Sequence, residues 1–329
     1  MEIGKLPNEV LQKIVLDSIT HKRDEVLIHA GIGEDCAVID FGEKGCIVSS
    51  DPITGATKNI GKLAVNISCN DIAASGGDPV GVVITMLIPP HIELEQIEEV
   101  MKDAGAEAKR LNVEIIGGHT EITDVVNKMV LVTTVIGSQE KDKIMGLGEK
   151  VVPGDKVLIT KAVGIEGTSI MAHDLEDKLK GNIDEELIEE AKDMTKEISV
   201  VKDGRISADN GAKYMHDITE GGLLGAAWEA AEANNCGMVI YEEKIPVRKS
   251  TKEISEFMNV DYMKLISSGS MMVISSEEDS EKIIEELEKA GIDAHVIGDI
   301  TESGKAVLLS DGAEKEIESP DSDEIYKVV

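Results

Sequence analysis

Five short acidic motifs hold the residues of this chain that could do chemistry: Gly33-Glu34-Asp35, Ser49-Ser50-Asp51, Asn70-Asp71, Gly117-Gly118-His119-Thr120-Glu121 and His216-Asp217-Ile218-Thr219-Glu220-Gly221-Gly222. Most of them follow or interrupt an apolar run. A carboxylate beside glycines at the end of an apolar element is an unfavourable place for a charge unless something binds it. Mg²⁺ held by one or two carboxylates together with nucleotide phosphates is the leading candidate. One such motif would mean little, whereas five in one chain point to a site for a metal–nucleotide complex.

Each motif also has an ordinary structural reading. Asp35 is either a metal ligand at a strand end or part of a charged turn entering a strand. Asp51 ends the run Ile47-Val48-Ser49-Ser50 and precedes Pro52, so it is a second ligand from a neighbouring strand end or the first residue of a turn. Asp71 sits inside a helical pattern of small residues, where Asp is unfavourable by propensity. It borders the apolar stripe at Ile67 and Ile72, and a charge at such a border needs a partner. Ile115-Ile116-Gly117-Gly118 reads as a strand running into a glycine turn, whose backbone N–H groups can approach an anion. His119 is then a ligand, a proton carrier or only a turn residue. Neither the Gly-x-x-x-x-Gly-Lys-Ser/Thr nor the Gly-x-Gly-x-x-Gly pattern is present. Asp217 or Thr219 could cap the helix that follows, with Glu220 in its first turn; equally, Asp217 and Glu220 could stand beside a helix N-terminus that attracts phosphate. Ser267-Ser268-Gly269-Ser270 is a small polar loop before a strand.

The elements that must position these residues alternate between helix and strand. Helical spacing covers 8–20, 61–76 and 93–111, and strand patterns cover 35–40, 45–50, 81–88, 113–116 and 129–136. A turn-rich stretch over 141–155 marks a boundary, giving domains 1–150 and 151–329. In the second half strands are expected at 156–160, 271–275, 294–300 and 305–309. Helices are expected at 166–177, 184–201, 206–213, 220–235 and 278–290, and the polar tail from Asp311 reads as loosely held. The whole is an alternating α/β pattern in two domains.

Composition narrows the function classes. Aromatics make up 2% of the residues, so the core must be aliphatic and an aromatic stacking platform is not expected. The 64 acidic against 33 basic residues give a net charge of -31, which argues against nucleic acid and anionic membranes as partners. The four cysteines include no Cys-x-x-Cys pair, no apolar stretch is long enough to span a bilayer, and Met1 to Pro7 lacks a secretory layout. A reduced, cytoplasmic protein is the expectation.

The ordered set of motifs resembles the aminoimidazole ribonucleotide synthetase (AIR synthetase) superfamily over nearly the whole chain, and within it the HypE-like hydrogenase maturation branch. Gly33-Glu34-Asp35 is similar to the family's Gly-Asp-Asp-type motif. Leu63 to Ala73 followed by Gly76-Gly77-Asp78-Pro79 is similar to its Asn-Asp helix and exit, and Gly117-Gly118-His119-Thr120 to its Gly-Gly-Asp-Thr turn. Asp217-Ile218-Thr219-Glu220-Gly221-Gly222-Leu223 resembles the Asp-x-Thr-Arg-Gly-Gly-Leu stretch. The resemblance implies a two-domain α/β fold with mixed sheets, whose N-terminal domain forms the sheet of a homodimer. It implies ATP with Mg²⁺ in a cleft beside that interface, and activation of an oxygen-containing group of a small substrate by phosphoryl transfer or dehydration. A maturation-type protein partner is compatible with it. On this reading Asp35, Asp51 and Asp71 hold metal. Asn70, Gly117, Gly118, Thr120, Gly221 and Gly222 contact the nucleotide, and Asp71, Asp217 and His119 serve catalysis.

Three positions depart from the family pattern. Glu220 stands where the branch has arginine, and His119 where the family has an acid. The sequence ends Asp323 to Val329 with no cysteine after Cys236, whereas the branch ends in a cysteine that carries the carbamoyl group. The expectation is a substrate other than that thiol. Two further readings share the fold: a small-molecule kinase like thiamine-monophosphate kinase, and a non-catalytic, nucleotide-binding dimeric relative.

Overall fold

A computed structural model describes residues 6–53, 59–320 and 322–328; most of the Met1–Pro7 stretch and the final Val329 lie outside them. Six strands form a first sheet: β1 (Val26–Ile28), β2 (Ala37–Phe41), β3 (Lys44–Ile53), β4 (Asp78–Ile88), β5 (Glu114–Ile122) and β6 (Val130–Glu140), in the order β1-β2-β3-β6-β4-β5. All neighbours are antiparallel except β4 and β5. A parallel pair needs a crossover, and the helix Leu94–Leu111 supplies it. The second sheet holds β7 (Lys156–Thr160), β8 (Ala212–Asp217), β9 (Gly237–Tyr241), β10 (Met271–Ser275), β11 (Ala294–Thr301), β12 (Ala306–Ser310) and β13 (Ala313–Glu316). Its order is β13-β12-β9-β11-β7-β10-β8. The fold is thus the mixed α/β arrangement expected from the motif order.

The helix Ile60–Ala74 joins the two halves. Thirteen of its fifteen residues are buried, because small and aliphatic side chains surround it on every side. One side packs on the first sheet, with Ala64, Val65, Cys69 and Ile72 in the same aliphatic cluster as Ile47, Val82 and Leu131. Ala73 and Ala74 pack with Met215, Met271 and Val273 of the second sheet, and Leu63 with Ile165, Met194 and Ile198. At Gly204, on the helix Val201–Asp209, an added Cβ would lie 2.5 Å from the Ala73 carbonyl oxygen. Only glycine permits that approach of the two helices.

Several expectations are corrected. Asn8–Ser18 is helical but passes from α to π to 3₁₀ turns, and its apolar residues Val10, Ile14 and Val15 are exposed rather than packed. The single helix expected over 184–201 divides into Glu185–Asp193, a 3₁₀ turn at Met194–Glu197, and the start of Val201–Asp209. The helix expected over 206–213 ends at Asp209, since Gly211 takes a φ of 100° and strand β8 begins at Ala212. The helix Lys249–Met258 and strands β1, β8 and β9 lie outside the elements expected from the sequence, although the helix is amphipathic.

The tail is not loose. β13 pairs with β12, and Ile325 is buried among Met171, Leu179, Ile188 and Ile254. Asp323 accepts hydrogen bonds from the backbone N–H of Gly221 and of Ile325, each at 2.8 Å. Tyr326 donates its hydroxyl to Glu220 at 2.6 Å. Close to this tail the carboxyl of Glu166 is buried, with no hydrogen-bond partner on Oε2. Burial pushes it up to about 7, helped by the charges of Asp323 and Glu220 and opposed by a hydrogen bond with Ser268. A carboxyl raised on folding binds its proton more tightly in the native state, so stability falls as pH rises from near 4.5 and levels off above 7. Across that window the loss corresponds to about 3 kcal/mol. Glu166→Gln is expected to flatten most of this fall, as read by urea unfolding at pH 5 and pH 8; an unchanged pH slope would contradict the assignment.

Candidate functional site

Strand ends and one buried helix bring carboxylates together where the two halves meet. β3 presents Ser49 and Asp51 two residues apart, hence on one face of the sheet. The helix Ile60–Ala74 lies over that face and delivers Asp71, whose carboxylate accepts a short hydrogen bond from the Ser49 hydroxyl. Ser49 also lies 3.1 Å from Asp51 Oδ2, so a single hydroxyl links the two acids. From the second sheet, the end of β8 contributes His216 and Asp217, both buried. From the loop ahead of β2 comes Asp35. Asp35, His216 and Asp217 offer ligand atoms that all lie within 4.8 Å of one another.

The electrostatics are lopsided. Burial, followed by the charges of Asp217, Asp51 and Asp35, holds the Asp71 carboxyl well above the ordinary carboxylate range. The cation the chain itself supplies nearby is His216. Burial alone would lower its pKa, but Asp35 on Nδ1 and Glu229 on Nε2, each at 2.9 Å, raise it well above 6.5. His216 is therefore an imidazolium clamped between an acid of the first half and an acid of the helix Gly222–Asn234. Burial and the neighbouring carboxylates also push the Cys36 thiol well above its ordinary range.

The structure gathers the three expected metal ligands, Asp35, Asp51 and Asp71, into one neighbourhood and adds Asp217. Hard carboxylate oxygens of this kind suit Mg²⁺. Other assignments change. Asn70 does not face the acids: its amide donates to the Ile198 carbonyl at 2.9 Å and accepts from the Val200 N–H at 2.8 Å. It is a brace between the halves rather than a free nucleotide contact. Gly117, Gly118, His119 and Thr120 do not form a glycine turn but continue β5 as an edge strand. A Cβ at Gly118 would meet the Ile84 carbonyl oxygen at 1.9 Å, so that glycine serves strand packing. His119 is exposed, 3.4 Å from Glu121. Within one chain β5 lies three strand spacings from β3, roughly 14 Å. The Gly221 N–H is occupied by Asp323, and Glu220 turns to Tyr326.

Sequence reasoning missed the roles of His216 and Glu229. Their pairing joins a strand end to a helix thirteen residues on and to Asp35 across the chain, which no local pattern displays. The His-Asp dipeptide ending an apolar strand was the one visible signal.

Two family matches fall on this architecture. The N-terminal domain of AIR synthase related proteins matches residues 33–139, and the C-terminal domain of the same family matches residues 152–310. A putative hydrogenase expression/formation protein of Methanocaldococcus jannaschii is 28% identical over 318 residues, covering 92% of this chain and 90% of that protein. The carbamoyl dehydratase HypE of Escherichia coli is 24% identical over 284 residues, covering 84% and 81%. A solved structure of the hydrogenase maturation protein HypE in complex with ATP superposes with a TM-score of 0.71 at 21% identity, covering 96% of this chain and 95% of that one. That last likeness concerns the fold alone.

The repulsion around Asp71 makes a prediction. Asp71→Asn removes a charge that burial and three acids oppose, and keeps the Ser49 hydrogen bond. In EDTA at pH 8 it should raise unfolding free energy by about 1–3 kcal/mol. Denaturant titration tests this, and a loss of stability would show that Asp71 is instead held by a favourable partner.

Proposed function

Since the chain belongs to the AIR synthase related family, we propose that it is an ATP- and Mg²⁺-dependent enzyme of the HypE-like branch, activating an oxygen-containing group of a small substrate by phosphoryl transfer. One observation carries the reading: three carboxylates, Asp35, Asp51 and Asp217, converge on a fourth, the buried Asp71, whose proton affinity is raised by burial and by the other three. Such a cluster repels a bare polyphosphate and attracts a divalent cation, so nucleotide and metal bind best together. Bound there, Mg²⁺ would neutralise phosphate charge in the transferring group.

The chain's own residues have definable parts in this scheme. Asp35, Asp51 and Asp71 supply metal oxygens from the first half, and Asp217 supplies one from the second. Ser49 holds the Asp71 carboxylate in place. His216 orients Asp35 and ties the loop that carries it to the second sheet. His119 and Thr120, on the exposed edge strand β5, can reach phosphates only in an assembled dimer. The homodimer expected of the family is supported by that edge, where Ile116 and Ile122 are exposed and no strand among the described residues pairs with the far side. A hydrogenase-maturation partner is supported by the functions named for the relatives. No helix among the described residues is long and apolar enough to cross a membrane.

Calorimetry with ATP and MgCl₂ tests the reading. Binding is expected with Mg²⁺, at least tenfold weaker without it, and lost in Asp71→Ala and Asp217→Asn. Absence of heat, or binding indifferent to both substitutions, would overturn it. ATP turnover on a panel including carbamoyl compounds and thiamine monophosphate then identifies the acceptor.

A further inference from the structure

A second concave site lies between the halves and shares none of the acidic cluster's residues. It is a groove of about 1160 Å³, somewhat larger than ordinary small-molecule sites. One wall is the start of β4 and the end of the helix Leu94–Leu111. The other comprises the segment after β7, the helix Val201–Asp209, and the stretches around Arg248 and His295.

The charge of this groove is inverted relative to the chain. The protein carries 64 acids and 33 bases, yet six lysines and arginines line the groove against four carboxylates. Several of these cations are held in place. Glu197 grips Arg248 through two contacts, at 2.9 and 2.5 Å. Lys161 adopts a φ of 57°, unusual for a residue with a side chain. Its ammonium donates to the carbonyls of Ser199 and Gly269 at 2.9 and 2.7 Å and pairs with the buried Asp203 at 2.9 Å. Strain of that kind persists only where the surroundings enforce it. Other cations are left available. Lys202 and Arg205 lie three residues apart on one helix face, and both are exposed. Lys202 bonds only a carbonyl, that of Ala290 at 2.8 Å, and Arg205 meets Asp78 at no closer than 3.7 Å. A fixed cationic frame with unsaturated donors in a concave groove concentrates anions.

We propose that this groove is a binding site, separate from the acidic cluster, for a small polyanion carrying two or more phosphate or carboxylate groups. It takes its ligand directly by Lys202 and Arg205, in a frame that Lys161 and Arg248 hold in place, and needs no divalent metal.

The test is calorimetry of the full chain in EDTA, where the acidic cluster has no metal through which to attract anions. The probes are tripolyphosphate and citrate. At least one should bind, with affinity falling as salt rises. Tighter tripolyphosphate identifies the phosphate class, and tighter citrate the carboxylate class. Lys202→Glu/Arg205→Glu, with folding checked by circular dichroism, should weaken binding at least tenfold. Lys315→Glu, on the exposed β13 outside the groove, should leave it unchanged. Should the double variant fail to fold, Arg205→Gln alone should weaken binding at least threefold. Binding of neither probe, equal weakening by Lys315→Glu, or indifference to the groove substitutions would overturn the proposal.

Discussion

Burying a carboxyl among other carboxyls is the constraint on which the rest of this structure turns. Asp71 lies on a helix enclosed on every side, and its strongest influences are lost hydration and three more acids. An arrangement like this is costly in the free chain and becomes favourable when a divalent cation enters. The fold must therefore hold the acids together against their own repulsion. It does so with a single hydroxyl, Ser49, bridging Asp71 and Asp51, and with a single imidazolium, His216, bridging Asp35 and Glu229. A lysine or arginine at the same point would have satisfied the acids permanently and left nothing for a metal to do. Histidine neutralises part of the charge while leaving Asp217 beside it in ligand range.

The enclosed helix explains how two halves make one site. Its faces do different work. Asn66 is tied to Glu107 of the neighbouring helix at 2.8 Å, Asn70 braces the 198–200 segment, and Asp71 faces the acids. Gly204 lets the second half come within backbone contact of Ala73. Because Asn70 and Asp71 are adjacent on the same rigid turn, the brace that fixes the second half also fixes the direction of the central carboxylate. Side chains on a helix are separated by about 100° per residue, so neighbouring residues can face the 198–200 segment and the acidic cluster in turn.

How much of this is legible in the sequence follows from which forces are local. The helix Leu94–Leu111 and the strand β10 were readable because a stripe of apolar residues or a short bounded apolar run sets them. Asp35, Asp51 and Asp71 were readable as candidate ligands because a charge at or beside an apolar run is anomalous wherever the chain goes. The Gly117-Gly118 pair misled because glycine is required both by turns and by close strand approach, and only the Ile84 carbonyl across the sheet distinguishes the two. β8 was hidden because Ala212 to Asp217 has no alternation: although it is an edge strand of the second sheet, it is buried toward its C-terminus on both faces. The tail looked loose because its composition is polar, whereas Asp323 and Tyr326 are fixed by partners about a hundred residues away. His216 with Glu229 and the cationic groove belong to the same class, since their meaning lies in neighbours that no sequence window contains.

The two concave regions handle anions by opposite physics. On the proposed function the acidic cluster would hold a phosphate only through a metal, so its affinity would rise and fall with divalent cation. The groove presents cations directly, so its affinity must follow ionic strength instead. The glycine pair that might have offered a third route, at Gly221 and Gly222, already has an anion: the buried Asp323 carboxylate sits on the Gly221 N–H, at the head of the helix Gly222–Asn234. A helix N-terminus satisfied by the chain's own acid has little left to offer an incoming phosphate. The same contact accounts for Glu220. Where an arginine would face a phosphate, this glutamate takes the Tyr326 hydroxyl and helps pin the tail. The departure from the family pattern at position 220 and the ordered tail are thus two sides of one interaction.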